Sequence, residues 1–407
     1  MFEALPAPKL DGIIGLMQAF ANDPRTDKID LGVGVYRDSH GRTPVMRAVK
    51  QAEARILEEQ DSKSYLSLAG DAAFLDAMET LLLGGAVPNA RVAAVGTPGG
   101  TSAVRQICEL IAKVRPGATV WVSAQTWPNH GPLIAAAGLT ARPYRYLDTE
   151  AGALDRNGMF ADLAEVQAGE VVLLHGCCHN PTGVDLTPQD WAEVAALLER
   201  TGATAFVDMA YQGFGEGLDT DAGGLRHLAA RLPEVLIAAS CSKNFGLYRD
   251  RVGIAMAVVP EGQRDAMAAT LAGLNRQSFA FPPDHGGRVV STILGDPMLR
   301  AVWLEELDDM RARVQDNRRA LADALRNATG SDRMGAVAAQ QGMFSILPLS
   351  EAQVVRLRED HGIYMLWDGR VNMAGMDPSR AGEVARAVAE GMRGECTSRP
   401  GLDPGAF

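Results

Sequence analysis

From Val92 onward the 407-residue chain repeats one pattern, a short and nearly continuous apolar run followed in several places by helical spacing. The runs are Val92–Val95, Thr119–Val122, Val171–Leu174, Thr204–Val207, Val235–Ala239 and Ile254–Val258. A strand with one wet face alternates apolar and polar residues. A run without alternation predicts a strand covered on both faces. One intervening helix is expected from Ser102 to about Val114, with Val104, Ile107, Cys108, Ile111 and Val114 on one face and a stop at Pro116-Gly117. Another is expected over Pro188–Thr201, ended by Gly202. This alternation predicts an α/β layered domain built on a largely parallel sheet.

The end of the chain differs. From Pro297 to Asn327 the pattern is long, charged and helical, with Trp303, Leu304, Leu307, Met310 and Val314 on one face. Strands around Phe344–Leu347 and Val371–Met373 flank a helix near Glu351–Glu359, which predicts a second, smaller α+β domain. Gly394–Phe407 lacks apolar periodicity and reads as a loose tail. The length itself suggests two or three domains at roughly 150 residues each. A net charge of -11 argues against nucleic acid or an anionic membrane as partner. Five cysteines, two of them adjacent, make no disulfide framework and suit reduced thiols in a cytoplasm. Met1–Pro6 shows no secretory signal, and no apolar run approaches the ~20 residues of a membrane span.

Several chemically able residues stand where strands end. Lys243, in Ser240-Cys-Ser-Lys-Asn-Phe-Gly246, follows an apolar strand. Open α/β sheets bind ligands at the carboxyl ends of their strands, and a lysine there can form a Schiff base once its pKa is lowered. Asp208 ends Ala203–Asp208 and is followed by Met-Ala-Tyr211. A carboxylate in that position can keep a pyridine nitrogen protonated, and Tyr211 and Asn180 can donate to a ring oxygen. Asn180-Pro181 taken alone is also an ordinary turn signal. Thr97-Pro-Gly-Gly-Thr-Ser102 opens a helix and favours an anion there. It is neither a dinucleotide fingerprint nor a P-loop, and Gly32-Val-Gly34 is only a fragment of the former. Arg251 can add positive charge. His175-Gly-Cys-Cys-His179 holds four potential metal ligands, but adjacent side chains on extended backbone diverge, so no metal is expected.

These residues belong to longer motifs: Lys28–Tyr36, Trp127–His130, His175–Gly183, Ala210–Phe214, Ser242–Gly246 and Gly369–Asn372. With them, the chain from about Lys28 to Met376 resembles the class I aminotransferases of the pyridoxal-phosphate (PLP) fold-type-I superfamily, in the aspartate and aromatic branch. The resemblance implies an α/β fold with a large PLP-binding domain over residues 46–300, built on a mostly parallel seven-stranded sheet. It implies a small domain over 301–407, joined by an N-terminal segment over 1–45. It assigns Lys243 as the Schiff-base lysine and proton shuttle, Asp208 as partner of the pyridine nitrogen and His130 as support for Asp208. Tyr211 and Asn180 become the ring-oxygen donors and Trp127 the stacked aromatic. Gly100, Thr101, Ser240 and Arg251 form the phosphate cup, with Tyr65 reaching in from a neighbouring subunit. Arg370 and the Gly34 backbone hold the substrate α-carboxylate. The active form implied is a homodimer with shared sites.

Arg276 matches the family's arginine for a distal carboxylate, also from the other subunit, and implies aspartate and glutamate turnover. Phe281 stands where strict aspartate enzymes often carry a polar residue. The stretches Leu274–Gly286 and Ser240–Arg251 look closer to bacterial aromatic aminotransferases. The expected reaction is ping-pong transamination of aromatic and dicarboxylic amino acids with 2-oxoglutarate, with a mainly aspartate enzyme as the alternative. A PLP decarboxylase or lyase fits the two arginines less well. A regulatory protein would need a DNA-binding segment that the sequence does not offer.

Overall fold

The computed structural model describes residues 12–393. The readings of Met1–Pro6, of Cys396 and of the tail Gly394–Phe407 lie outside the described residues. In chain order the strands are β1 (Ile29–Asp30), β2 (Val92–Pro98), β3 (Thr119–Ser123), β4 (Thr140–Tyr144), β5 (Leu147–Asp148), β6 (Ala153–Leu154), β7 (Val171–His175), β8 (Thr204–Met209), β9 (Val235–Ser240), β10 (Val252–Val258), β11 (Phe344–Ile346), β12 (Ile363–Tyr364) and β13 (Arg370–Asn372). One sheet holds seven of them in the order β2-β10-β9-β8-β7-β3-β4. β10 runs antiparallel to both neighbours, and every other pairing in the sheet is parallel.

All six apolar runs are strands of this sheet. Their continuous apolar character has a direct cause, because successive side chains enter opposite cores. Val172 and Leu174 of β7, Val207 of β8 and Ile237 of β9 pack into one core. Val171 and Leu173, Phe206, and Leu236 and Ala238 of the same strands pack into the other. The helix Gly99–Val114 closes this second core with Val104, Ile107, Cys108 and Ile111. It starts three residues before the periodic pattern does, at Gly99 rather than Ser102. Val114, read as part of that face, is instead exposed in the last turn. The helix Pro188–Thr201 covers the other face. Thr187 and Asp190 form a capping box at its start, and Gly202 ends it in the left-handed conformation.

The seventh strand, β4, has no apolar run. Its sequence Thr-Ala-Arg-Pro-Tyr is exposed except for Tyr144, as an edge strand allows. Pro143 lacks an N–H and is tolerated at such an edge.

The helix Pro297–Thr329 is about 50 Å long at 1.5 Å per residue. Asp296 caps it by accepting from the Met298 and Leu299 N–H groups, and Gly330 ends it. Its first half packs on helices Arg47–Glu59 and His285–Gly295, and its second half on helix Ala381–Arg393. Beside the latter lie two short pairings, β1 with β12 (parallel) and β11 with β13 (antiparallel). The loop after β1 is tied to β13. The Asn372 N–H donates to the Leu31 carbonyl, and its side chain donates to the Val33 and Val35 carbonyls. The two residues flanking Gly34 are thereby held by Asn372, two positions along β13 from Arg370.

Candidate active site

The parallel register aligns strand ends. His175 pairs with Asp208, Asp208 with Ala238, and Ser240 with Gly253 of β10. His175 and Asp208 therefore lie side by side near the carboxyl ends of β7 and β8, and Ser240 ends β9 two residues beyond the position that pairs with Asp208. A cavity of about 190 Å³ opens there, with Lys243 and Asp208 in its wall.

Lys243 lies in the turn after β9, its Nζ 4.7 Å from the centre of the Tyr211 ring. Burial lowers its ammonium to about 8; Asp208 pulls the value back up, and the like charge of Arg251 adds to the lowering. Burial alone would raise the Asp208 carboxyl. The hydrogen bond with His130 and nearby charge, including Lys243, outweigh burial and hold it below its ordinary value. Asp208 therefore accepts from His130 Nε2 at 3.0 Å. His130 Nδ1 lies 2.8 Å from Thr126 Oγ1, which lies 3.0 Å from His175 Nε2. An ionised carboxylate has only acceptors. His130 therefore donates through Nε2 to Asp208, and the Thr126 hydroxyl bridges His130 Nδ1 and His175 Nε2. Burial lowers His175 to about 3, which keeps it neutral.

The wall expected to take a phosphate depends on close backbone approach. Gly99 has φ +79°, and a Cβ there would fall 2.5 Å from an Arg251 nitrogen. A Cβ on Gly100 would fall 2.9 Å from the Ser240 Cβ. Only glycine lets this helix start, with its free N–H groups, reach the cavity wall beside Arg251. Arg251, itself at φ +55°, donates to the Tyr248 carbonyl and to Ser242 Oγ. On the opposite wall Asn180 Nδ2 donates to the Tyr211 hydroxyl at 3.2 Å, and its Oδ1 accepts from Arg370 at 3.3 Å. A lysine with a depressed pKa, a buried carboxylate, a glycine-opened anion cup and paired ring-oxygen donors together fit a phosphorylated pyridine aldehyde.

Gly34, Gly100, Thr101, Trp127, Asn180, Asp208, Tyr211, Ser240, Lys243 and Arg251 all line the cavity. His130 stands behind Asp208, its ring edge-on to Trp127. Arg370, buried, joins through Asn180. Tyr65 and Arg276 do not join. Tyr65 is 82% exposed and stacks on Phe281 at 4.6 Å, and Arg276 is exposed at the end of helix Arg264–Ser278. Phe281 thus faces Tyr65, not the cavity of its own chain. The string His175–His179 divides among separate tasks. His179 bonds Ser123 and Thr182, and the Cys178 thiol is buried. The sulfurs of Cys177 and Cys178 lie near the Asp221 carboxylate, which accepts from the Gly213, Gly215 and Glu216 N–H groups. Sequence reading missed Thr126, His175, Ser242 and Tyr248. Tyr248 lines the cavity and accepts from the Tyr36 N–H. Its place five residues after Lys243 was the available signal.

Residues 26–388 match the family model for aminotransferase class I and II. The aromatic-amino-acid aminotransferase of Paracoccus denitrificans is 49% identical over 381 residues, which cover 93% of this chain and 97% of that protein. The aspartate aminotransferase of Salmonella typhi is 42% identical over 392 residues, covering 95% and 99%. A solved aromatic-amino-acid aminotransferase from Burkholderia pseudomallei, covalently bound to pyridoxal phosphate, superposes with a TM-score of 0.93 at 37% identity, covering 96% of this chain and 99% of that one. The chain belongs to the class I and II aminotransferases, a pyridoxal-phosphate-dependent family.

Proposed function

We propose that this aminotransferase moves amino groups between aromatic or dicarboxylic amino acids and 2-oxoglutarate in a ping-pong sequence. The observation that carries the chemistry is Lys243, a buried amine lowered to about 8 and facing Asp208. Bound PLP supplies an electron sink, its protonated ring accepting the electron pair left when the α-proton departs. With the cofactor bound, Lys243 would take that proton from the substrate α-carbon and later hand it back. Asp208, fixed by His130, holds the proton on the ring nitrogen. Tyr211 and Asn180 donate to the ring oxygen, and Trp127 stacks on the ring. Gly100, Thr101, Ser240 and Arg251 hold the phosphate. Arg370, helped by the Gly34 N–H, takes the α-carboxylate as a two-pronged pair.

Tyr65 and Arg276 are exposed on this chain and lie outside its own cavity. This supports a homodimer in which each subunit lends Tyr65 to the phosphate and Arg276 to the distal substrate carboxylate of its partner. We assign residues 46–300 to a large cofactor-binding domain and 301–407 to a small one, joined by residues 1–45. Free, buried cysteines at 108, 177, 178 and 241 suit a reducing cytoplasm. No helix among the described residues is long and apolar enough to cross a membrane.

Relatives named for aromatic substrates, at 49% identity, support the aromatic reading. Arg276 and the 42% identical aspartate enzyme favour the second reading, a mainly aspartate enzyme. The test mixes purified holoenzyme with L-phenylalanine, and separately with L-aspartate, without oxo acid. Loss of the visible absorbance of the Lys243-bound cofactor is then followed. Conversion by both, with phenylalanine at least as efficient, is the expected result. Conversion by aspartate alone makes this an aspartate aminotransferase. Arg276→Ala should cost aspartate far more than phenylalanine; equal losses refute a role in reading the side chain.

A further inference from the structure

We infer that Phe344 is a positioning residue for the substrate α-carboxylate: its ring is the platform on which Arg370 and the Gly34 backbone are set relative to one another. The inference rests on the reading of Arg370 as the carboxylate arginine. Three parts of the site meet on this ring. The Arg370 Cζ lies 4.8 Å from its centroid. Gly34 touches its tip so closely that a Cβ there would fall 2.7 Å from Phe344 Cζ. Tyr211 meets it edge-on at 6.2 Å and 89°. The ring belongs to the apolar core, but it also meets a buried cation, a cavity tyrosine and a backbone glycine of the cavity wall.

The backbone beneath the ring is held unusually firmly. Arg318 is 1% exposed. It donates to the carbonyls of Val337, Gln341, Gly342 and Phe344 and to Ser345 Oγ, at 2.5–3.3 Å. The Gln341 N–H donates to the Gly183 carbonyl at 2.6 Å, which ties the segment to the loop carrying Asn180. Across the β11–β13 pair Phe344 faces Asn372, the residue that holds Val33 and Val35. The Gly34 loop, the Arg370 strand and Phe344 thus form one hydrogen-bonded unit. A guanidinium resting on an aromatic face directs its N–H groups sideways, parallel to the ring, in the plane where a carboxylate can meet them. The ring therefore sets the tilt of those groups and their spacing from the Gly34 N–H.

The test uses Phe344→Leu, which keeps apolar bulk but removes the aromatic face, and Phe344→Met as a second variant of similar volume. Holoenzyme is titrated with maleate and with 3-phenylpropionate, read by the visible spectrum. Hydroxylamine, which attacks the Lys243-bound cofactor and has no carboxylate, is the control. We expect both carboxylates to bind about tenfold more weakly and KM for phenylalanine and aspartate to rise alike. The hydroxylamine rate and cofactor retention should stay within about twofold. A merely structural ring would lower all of these together, or none, and either result overturns the proposal. Arg370→Gln separates the two readings. Loss of carboxylate affinity in Arg370→Gln but not in the Phe344 variants sinks the platform alone. No loss in Arg370→Gln sinks the carboxylate reading beneath it.

Discussion

Lys243 shows how placement changes a side chain. Its pKa falls from 10.5 to about 8, first through burial, with Asp208 opposing. Between those values the unfolded chain binds the proton and the folded chain does not. In cofactor-free protein the buried ammonium is therefore destabilising below about pH 8, and stability recovers as pH rises toward 10.5. Lys243→Met should make the cofactor-free protein about 3 kcal/mol more stable than wild type at pH 7. The advantage should close by pH 10.5, as melting curves across that range will show; an advantage that grows with pH contradicts it. In the holoenzyme Lys243→Ala should abolish turnover, and wild-type rates would refute the lysine's role. At this scale Lys243, Asp208, Tyr211 and Asn180 were legible because each follows a recognisable strand. Thr126, His175 and Phe344 were not, since a hydroxyl, an imidazole or a ring in sequence carries no sign of what it will touch.

Among the elements, β10 and the helix Gly99–Val114 meet backbone to backbone. A Cβ on Gly253 would fall 2.5 Å from Gly99 C, 2.7 Å from its oxygen and 2.9 Å from the Ala239 carbonyl. All three are backbone atoms, so no flexible side chain can yield. Gly253→Ala should push the helix start off the sheet, at about 1–3 kcal/mol of stability. It should also weaken PLP binding, because that helix start is the proposed phosphate site. Denaturant unfolding and PLP titration check both, and unchanged cofactor affinity would detach the helix start from phosphate binding. The six buried strands were legible because cores on both faces demand apolar residues at every position. β4 was not, because an edge strand in solvent makes no such demand.

At the scale of the whole molecule, the helix Pro297–Thr329 runs from the sheet's helices to the layer that carries Arg370. The proposed mutual donation of Arg276 between subunits makes a sharp prediction. Lys243→Ala and Arg276→Ala subunits, each poor on aspartate alone, should regain activity when co-expressed. Random pairing makes half the dimers hybrid, and one of the two sites in each hybrid is intact. The recovered aspartate activity should approach about a quarter of wild type. No recovery on co-expression would mean that each subunit completes its own site.

What the sequence determined by itself is the layered α/β sheet and the set of strand-end residues, because burial on two faces and reactive groups at strand ends both leave local marks in the order of residues. The motifs also carried the family. What only the tertiary structure decided is which of those residues share a cavity. Strand register sets His175 beside Asp208 and leaves Ser240 two residues past the β9 position that pairs with Asp208. Arg370 reaches Asn180 across 190 positions of chain, and Tyr65 and Arg276 lie exposed, outside the cavity of their own chain. Such distances are set by packing between elements far apart in sequence, and no local pattern encodes them.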